Sequence, residues 1–431
     1  MTLSRLPRLF RALSLWVLLA LLAGLFAGAA AQAWGLPGGA DTAALIASLG
    51  TLWLNALKMT IVPLVFGLLV TGIASIADAA ATGRLALKAL GVFGLMLLVG
   101  ALYGVLASEG LHLIWPIDPE GARILLGEAP AEAVVRENAQ GGGLPAFLST
   151  LAPANPIRAA AEDAILGIVV FAIAFGFAAT RLSARLRLPL VGFFEAVSET
   201  MIVIVHWVLL AAPVGVFALA MGVGLNAGLG ALGVLGHYVS MVVLAQIGLI
   251  ILTYVAVVAF GRISLGRFAR GALPAQVVAF STQSSLASLP AMVEQARTAL
   301  GVSTPTAGLV LPLAVAVFRA TSSVANLAVC IYIAHLYGID IPPALWIAGG
   351  LTALAVSVGS VGLPGQVSFF VSIAPICLAL GLPVAVLPLL LAVEVIPDIF
   401  RTIGNVTADL AAARIVQGRD AVADPEPGAG I

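Results

Sequence analysis

Near the C-terminal end of an otherwise greasy chain, the stretch EVIPDIFRTIGNVTAD (394–409) gathers three carboxylates, one arginine, one asparagine and two threonines. On a helix turning about 100° per residue, and measured from Asp398, Glu394 falls roughly at −40°, Arg401 at −60°, Thr402 at +40°, Asn405 at −20° and Asp409 at +20°. All six polar groups share one narrow face, a stripe ~22 Å long at 1.5 Å per residue. Ile396, Ile399, Phe400, Ile403 and Val406 occupy the other faces. The residue types suggest their ligand. Arginine presents a planar fork that matches a carboxylate bidentately. Asp398 offers an acceptor for an ammonium group, and Thr402 and Asn405 add neutral hydrogen bonds. The serine-rich backbone of STQSSLASLP (281–290) and its half-helix ends suit a further carboxylate. A solute with one amine and two carboxylates, an acidic amino acid, satisfies all of these together. The competing reading is structural: Arg401 neutralised by Asp398 or Glu394 at helical spacing. It leaves the interrupted segments described next without a role.

The elements that must position this stripe are membrane-embedded. The chain has 431 residues, 61% hydrophobic and only 9% charged, against about 25% charged for soluble domains. So few polar groups cannot cover the surface of a water-soluble fold of this size. The zero net charge suggests no nucleic-acid partner. Cys330 and Cys377 sit in apolar runs and read as small fillers, so neither a disulfide framework nor a zinc site is expected. His112, His206, His237 and His335 are scattered along the chain without an HExxH pattern, and no nucleophile–base constellation points to an enzyme. The basic start, apolar run and A-x-A-like end of the first 35 residues resemble a cleaved leader. The apolar run from Leu13 to Trp34 is nevertheless long enough to span a bilayer core of ~30 Å, and we read it as the first span.

Further apolar segments lie near 44–76, 86–107, 163–180, 190–222 and 231–260. A weaker segment, 275–298, carries STQSSLASLP. Then come 305–337, 342–385 interrupted by SVGSVGLPGQ, and 386–413. Interrupted helices survive at membrane depth only against protein or a watery cavity. Arginines and lysines cluster before the first span (Arg5, Arg8, Arg11), between the second and third (Arg84, Lys88), after the fourth (Arg181, Arg185, Arg187), after the sixth (Arg262, Arg267, Arg270) and after the last (Arg414, Arg419). The connection 108–162 is acidic, with Glu109, Asp118, Glu120, Glu128, Glu132 and Glu137. Positive-inside reasoning places both termini in the cytoplasm and this loop outside. The two interrupted segments then enter from opposite faces, the pattern of an inverted repeat around a midplane site. Leu289-Pro290 and Leu363-Pro364 echo one another, as do Phe318-Arg319 with Thr321 and Phe400-Arg401 with Thr402. The tail 417–431 is expected to be a disordered cytoplasmic extension.

These segments resemble the glutamate/aspartate transporter family, the dicarboxylate/amino acid:cation symporters, from about residue 13 to 416. LKMTIVPLVFGLLVTGIASI (57–76) is similar to the family's second helix and APVGVFALA (212–220) to its fifth. FSTQSSLASLP and SVGSVGLPGQ resemble its two re-entrant hairpins, and PDIFRTIGNVTADL, the most specific match, its last helix. The resemblance implies an all-α integral membrane fold: eight transmembrane helices plus two opposed re-entrant helical hairpins in an inverted-repeat transport core of elevator type. It implies a homotrimer in the cell inner membrane, in contact with lipid. Residues 1–270 would mainly form scaffold and trimerisation helices, with helices three and six packing on the transport domain, whose core is 271–416. Hairpin two would be the extracellular gate. By resemblance Arg401 binds the substrate's side-chain carboxylate, Asp398 its amino group, and Thr402 and Asn405 add contacts. Backbone around Gln283, Ser284 and Ser285 and around Leu363 to Gly365, with the side chain of Ser322, completes the pocket. Dicarboxylate carriers of the family tend to lack the acid at Asp398, so an amino acid is favoured, with a C4-dicarboxylate as the alternative cargo.

The chain departs from the family in helix seven, where NMDGT is usual and FRATS (318–322) stands. Phe318, Arg319 and Ala320 replace Asn, Met and Asp. A hard cation needs oxygen ligands, which phenylalanine and alanine side chains do not supply. The Ser/Thr pair usual in helix three is missing from 86–107, and the family's extra arginine is absent, Gln283 and Ile399 standing at its two usual places. Asn405 and Asp409 remain. Arg319 is therefore expected to be a fixed cation paired with Asp409 or Asp398, its alternative being a side chain extended to an interface. Sodium coupling is then reduced or lost, and protons acting through Glu394, Asp398 or Asp409, or no coupling ion, would replace it. No metal site or other cofactor is expected.

Overall fold

Proline marks several of the places where this chain stops and restarts a helix. The ring lacks an N–H and sets φ for a first turn, so it is tolerated there and disruptive further in. In the computed structural model, which describes residues 6–34, 39–81, 83–126, 152–162, 164–227, 230–359 and 365–418, the described residues are helical with short connections. The first half comprises α1 (Leu6–Trp34), α2 (Gly39–Lys58), α3 (Ile61–Ala81), α4 (Arg84–Ile114), α5 (Pro119–Leu126), α6 (Pro156–Ala161), α7 (Ile165–Thr180), α8 (Ala184–Leu210), α9 (Ala212–Ala227) and α10 (Ala231–Gly261). The second half runs α11 (Leu265–Thr282), α12 (Ser285–Thr298), α13 (Thr304–Val317), α14 (Ala320–Tyr337), α15 (Pro343–Gly359), α16 (Gly365–Ala379), α17 (Leu387–Val393) and α18 (Val395–Gln417). Pro63, Pro213, Pro305, Pro343, Pro388 and Pro397 each fall in the first turn of their helix.

Five helical segments among the described residues are long and apolar enough to cross a membrane: Ser48–Ala81, Arg84–Ile114, Ala184–Leu210, Ala231–Gly261 and Thr304–Tyr337. Shorter apolar helices accompany them. The outward faces are apolar too: Leu95, Leu98, Leu102 and Leu106 of α4 are all exposed, as lipid-facing side chains are in a multi-pass membrane protein.

Three expectations are refined by the fold. The apolar segments 44–76 and 190–222 are each two helices, broken beside Thr60 and at Ala211. The interruption within STQSSLASLP is confined to Gln283 and Ser284; Ser281 and Thr282 end α11, and the rest of that stretch is the first part of α12. Segment 305–337 is divided at Phe318-Arg319, the site of the departure from the family motif. No proline falls at that break. Tertiary partners meet it there, as the hydrogen bonds below show.

Helices α14 and α18 form the centre. Residues 317–334 are buried without interruption, and so are 404–414, so α14 before its last turn and this part of α18 have no solvent- or lipid-facing side. Around α18 pack α11, α12, α13, α14 and, from the first half, α4 and α10. The order helix, interruption, helix, divided helix occurs twice, in α11–α14 and in α15–α18. The two units start at opposite ends of the molecule. The base of α11–α12 lies at a basic end, where Arg267 Nε donates to Ala299 O (2.8 Å), Arg414 Nη1 to Gly301 O (3.3 Å) and Lys88 Nζ to Val416 O (2.5 Å). The start of α15 lies at the other end, beside Glu109, His335 and Asp340. Glu128, Glu132, Glu137, Leu363 and the tail beyond 418 lie outside the described residues.

Away from this centre α1 crosses α9 at backbone distance. A Cβ on Gly28 would stand 2.3 Å from Met221 O and 2.6 Å from Leu225 N, and one on Gly224 would stand 2.3 Å from Leu25 O. Without a hydrophobic force between helices in lipid, such small-residue seams and their van der Waals contact hold helices together. Gly28→Leu is therefore expected to destabilise the fold by at least ~1–3 kcal/mol, the usual cost of overpacking. Gly233→Ala, at a position with nothing within 4 Å, is expected to be neutral. Thermal unfolding of detergent-purified variants measures the difference.

Candidate functional site

The polar stripe of α18 points inward. Glu394, Asp398, Arg401, Thr402, Asn405 and Asp409 are all buried, with Arg401 only 2% exposed. Glu394 occupies the junction of α17 and α18 but keeps helical angles, and its carbonyl accepts the Asp398 N–H at 2.9 Å. The helical phase read from the sequence therefore holds across the junction. Ile396, on the opposite side, is 51% exposed.

Arg401 lies among carboxylates. Its Nη2 donates to Glu394 Oε1, two turns away, and its Nη1 to Asp398 Oδ1 at 3.3 Å. The other oxygen of Glu394, Oε2, accepts the Tyr238 hydroxyl of α10 at 3.1 Å. The ion pair considered as a structural alternative is thus present in the fold. Arg401 Nε has no hydrogen-bond partner among the described residues.

One turn further along, Asn405 holds the divided helix together. Its Oδ1 accepts the Thr321 N–H at 3.0 Å and its Nδ2 donates to Ser322 Oγ at 3.1 Å. A helix N-terminus leaves N–H groups without intrahelical partners. Here a side chain from another helix supplies one, which lets the chain break at Phe318-Arg319 in a buried place. Gly404 makes the approach possible, since a Cβ there would lie 2.3 Å from Thr321 Oγ1. Thr402 Oγ1 donates to its own helix at Asp398 O (2.9 Å), leaving its oxygen lone pairs to face the site.

Arg319 is buried in this break and does not extend to an interface. Its charge interacts with Asp398, Arg401 and Asp409. Asp409 has neither carboxylate oxygen hydrogen-bonded among the described residues, and Arg319 is the charge it feels. Phe318 stacks face to face on Phe93 of α4, ring centroids 4.7 Å apart and planes 7° from parallel. Apolar rings fill the place between α4 and the α13–α14 break.

The α11–α12 interruption reaches the same level. Gln276 of α11 bridges Thr407 Oγ1 (2.8 Å) and Tyr254 OH (3.1 Å). Seven residues on, ~10 Å along an antiparallel helix, the tip at Gln283 comes level with residues 400–402. Gln283 adopts a left-handed conformation (φ 52°) that closes α11, Ser284 caps α12 by accepting the Ala287 N–H at 3.2 Å, and Ser285 is buried with its hydroxyl unpartnered. Gly365 opens α16; Leu363 is outside the described residues.

Several contacts were not foreseen. Tyr238, the partner of Glu394, carried no signal beyond being one of few tyrosines in an apolar span. Three of the four histidines are not scattered in space. His112 stacks on His335 (centroids 4.2 Å), His335 Nε2 pairs with Glu109 Oε2 (2.9 Å), and His237 Nδ1 meets Tyr332 OH (3.2 Å). Three helices, α4, α10 and α14, bring them to the acidic end. Cys330 and Cys377 are buried, free and 3.4 Å apart, as fillers between α14 and α16. Among the described residues no group of three or more His, Cys, Asp or Glu side chains is placed to hold a metal ion.

A multi-pass helical protein with broken helices converging on buried ion pairs is a membrane transporter in architecture. Residues 13–419 match the sodium:dicarboxylate symporter family, and the chain belongs to it. It is similar to a proton/glutamate-aspartate symporter of Escherichia coli (strain K12), 30% identical over 375 residues that cover 86% of this chain and 84% of the relative. A C4-dicarboxylate transport protein of Anaeromyxobacter sp. (strain K) is 30% identical over 417 residues, 94% and 90% of the two chains. A proton/sodium-glutamate symport protein of Bacillus subtilis (strain 168) is 27% identical over 385 residues, 88% and 86%.

Removing one partner of a buried charge cluster leaves the others uncompensated, at about 3–5 kcal/mol. Arg401→Met is expected to lose that much, read as a large fall in the unfolding temperature of the purified protein. Adding Glu394→Gln to it is expected to recover part of the loss.

Proposed function

We propose that this chain moves an acidic amino acid, aspartate or glutamate, across the cell inner membrane as a homotrimeric secondary transporter. The carrying observation is the pairing of Asp398 with Arg401 on one inward, buried face. One group is an acceptor for an ammonium and the other a fork for a carboxylate, so cargo bearing both signs can replace the internal pair. In this reading the cargo's side-chain carboxylate takes Arg401 and its amino group takes Asp398. Thr402, Asn405 and Ser322 add hydrogen bonds, and the backbone around Gln283, Ser284 and Ser285 receives the remaining carboxylate at the start of α12. Gly365, at the start of α16, closes the site as part of the second hairpin, the outer gate, to which Leu363, outside the described residues, is also assigned.

The architecture of this reading has eight spans with both termini cytoplasmic, α11–α12 and α15–α16 as opposed re-entrant hairpins, and an elevator movement of the 271–416 core against a 1–270 scaffold. The charge difference between the two ends and the two units starting from opposite ends support it. A C4-dicarboxylate is the second reading. The dicarboxylate transporter among the relatives favours it, and the acid at Asp398 disfavours it.

Coupling follows from α14. Arg319 supplies a permanent cation beside Asp409 and Asp398, and Phe318 and Ala320 withhold oxygens. Sodium is then not required, and a proton carried by Glu394, Asp398 or Asp409, or no ion, accompanies the cargo.

Losing a charged hydrogen bond to the amino group removes ~1.5–3 kcal/mol, so Asp398→Asn is expected to weaken aspartate uptake by about 10–100-fold while succinate competition is spared. Uptake of labelled aspartate into proteoliposomes, with competing succinate, measures both. Equal loss for the two would reject the assigned role. In the same vesicles, uptake driven by an imposed proton gradient and unchanged by sodium is expected. Strong sodium dependence would refute the role given to Arg319.

A further inference from the structure

Helix α10 runs parallel to α18, both chains rising in the same direction. Tyr238 meets Glu394, Tyr254 reaches the Gln276–Thr407 pair, and Gly261 lies against Arg414. Gln246 is eight residues from Tyr238, ~12 Å along the axis, and Arg401 is seven from Glu394, ~10.5 Å. The two therefore stand at one level. Their facing agrees as well. From Tyr238 to Tyr254 the contact line turns by about 160° around α10, and Gln246 lies at about 80°, on that line midway.

Gln246 is fully buried, and neither its Oε1 nor its Nε2 has a hydrogen-bond partner among the described residues. Buried polar atoms are rarely left so, and a native exception calls for an explanation. Two more unpartnered atoms belong to the same level: Arg401 Nε and Thr321 Oγ1, the latter packed on Gly404. The amide thus has an acceptor and a donor, and its surroundings contain an N–H without an acceptor and a hydroxyl able to accept.

We propose that Gln246 is a positioning residue for Arg401: its Oε1 accepts the Arg401 Nε–H when the guanidinium leaves Glu394 for a substrate carboxylate, while its Nε2 donates to Thr321 Oγ1. This rests on the reading of Arg401 as the carboxylate-binding group. A neutral amide suits the task. It holds the guanidinium by the one donor that a bidentate carboxylate does not need, and it adds no negative charge to compete with the cargo. Through Thr321 it also ties the cargo's arginine to the break that carries Arg319.

The full-length protein with Gln246→Met, apolar and of similar length, is the test. Two readouts are compared: KM and maximal rate of labelled aspartate uptake in proteoliposomes, and the rise in unfolding temperature on adding aspartate. KM is expected to rise about tenfold, with a smaller change in maximal rate, and the aspartate-induced rise to shrink. The ligand-free unfolding temperature is expected to stay at or above that of the wild type, because an unpaired buried amide has gone. Gln246→Asn, too short to reach Nε, is the second variant should the first not fold, and the same rise in KM is expected. Unchanged KM and unchanged aspartate stabilisation in either folded variant overturn the proposal alone. A wild-type protein that neither transports nor is stabilised by aspartate, glutamate or succinate overturns the carrier reading and this proposal with it.

Discussion

Everything in the second half of this chain is arranged around a guanidinium taken out of water. Desolvating a charge is expensive enough that it is tolerated only with counter-charges and hydrogen bonds at close range. Arg401 has Glu394 and Asp398 on its own helix, and Glu394 in turn has Tyr238 from α10. Those partners require the polar face of α18 to be enclosed, and α4, α10, α11, α12, α13 and α14 pack around it. In the proposed reading, the low local dielectric that makes the cluster costly would also make it selective, because a wrongly charged or neutral guest could not replace the internal pair.

The second arginine changes the character of the site. At the break between α13 and α14, Arg319 stands close enough to interact with Asp398, Arg401 and Asp409. Two cations and three carboxylates, Glu394, Asp398 and Asp409, then share one buried region. A covalently attached cation cannot dissociate, and under the proposed function it stands in for an ion from solution. The stacked Phe93–Phe318 pair is consistent with this, since apolar packing occupies space that hydrated or oxygen-ligated cations would need.

Breaks in the helices do two different jobs. Those with a proline in the following turn are written into the local chain and serve topology. The one at Phe318-Arg319 has no proline, and Asn405, from the far end of the sequence, takes the Thr321 N–H there. Glycines allow the closest approaches, Gly404 against Thr321 at the site and Gly28 against Met221 in the α1–α9 seam.

From the sequence alone came the membrane class, the order of segments and the single polar face of 394–409, because hydrophobic content and helical periodicity are local properties. The departure at 318–322 was equally readable as an absence of oxygen ligands. What tertiary structure decided was who meets whom. Helical phase shows that Glu394 and Arg401 share a face, but nothing local places Tyr238 beside Glu394, stacks Phe93 on Phe318 or gathers His112, His237 and His335 from three helices. The position of the break within 305–337 was also hidden, since the side chain that meets it lies more than eighty residues away. Contacts between distant segments depend on the register and crossing of packed helices, which no window of sequence contains.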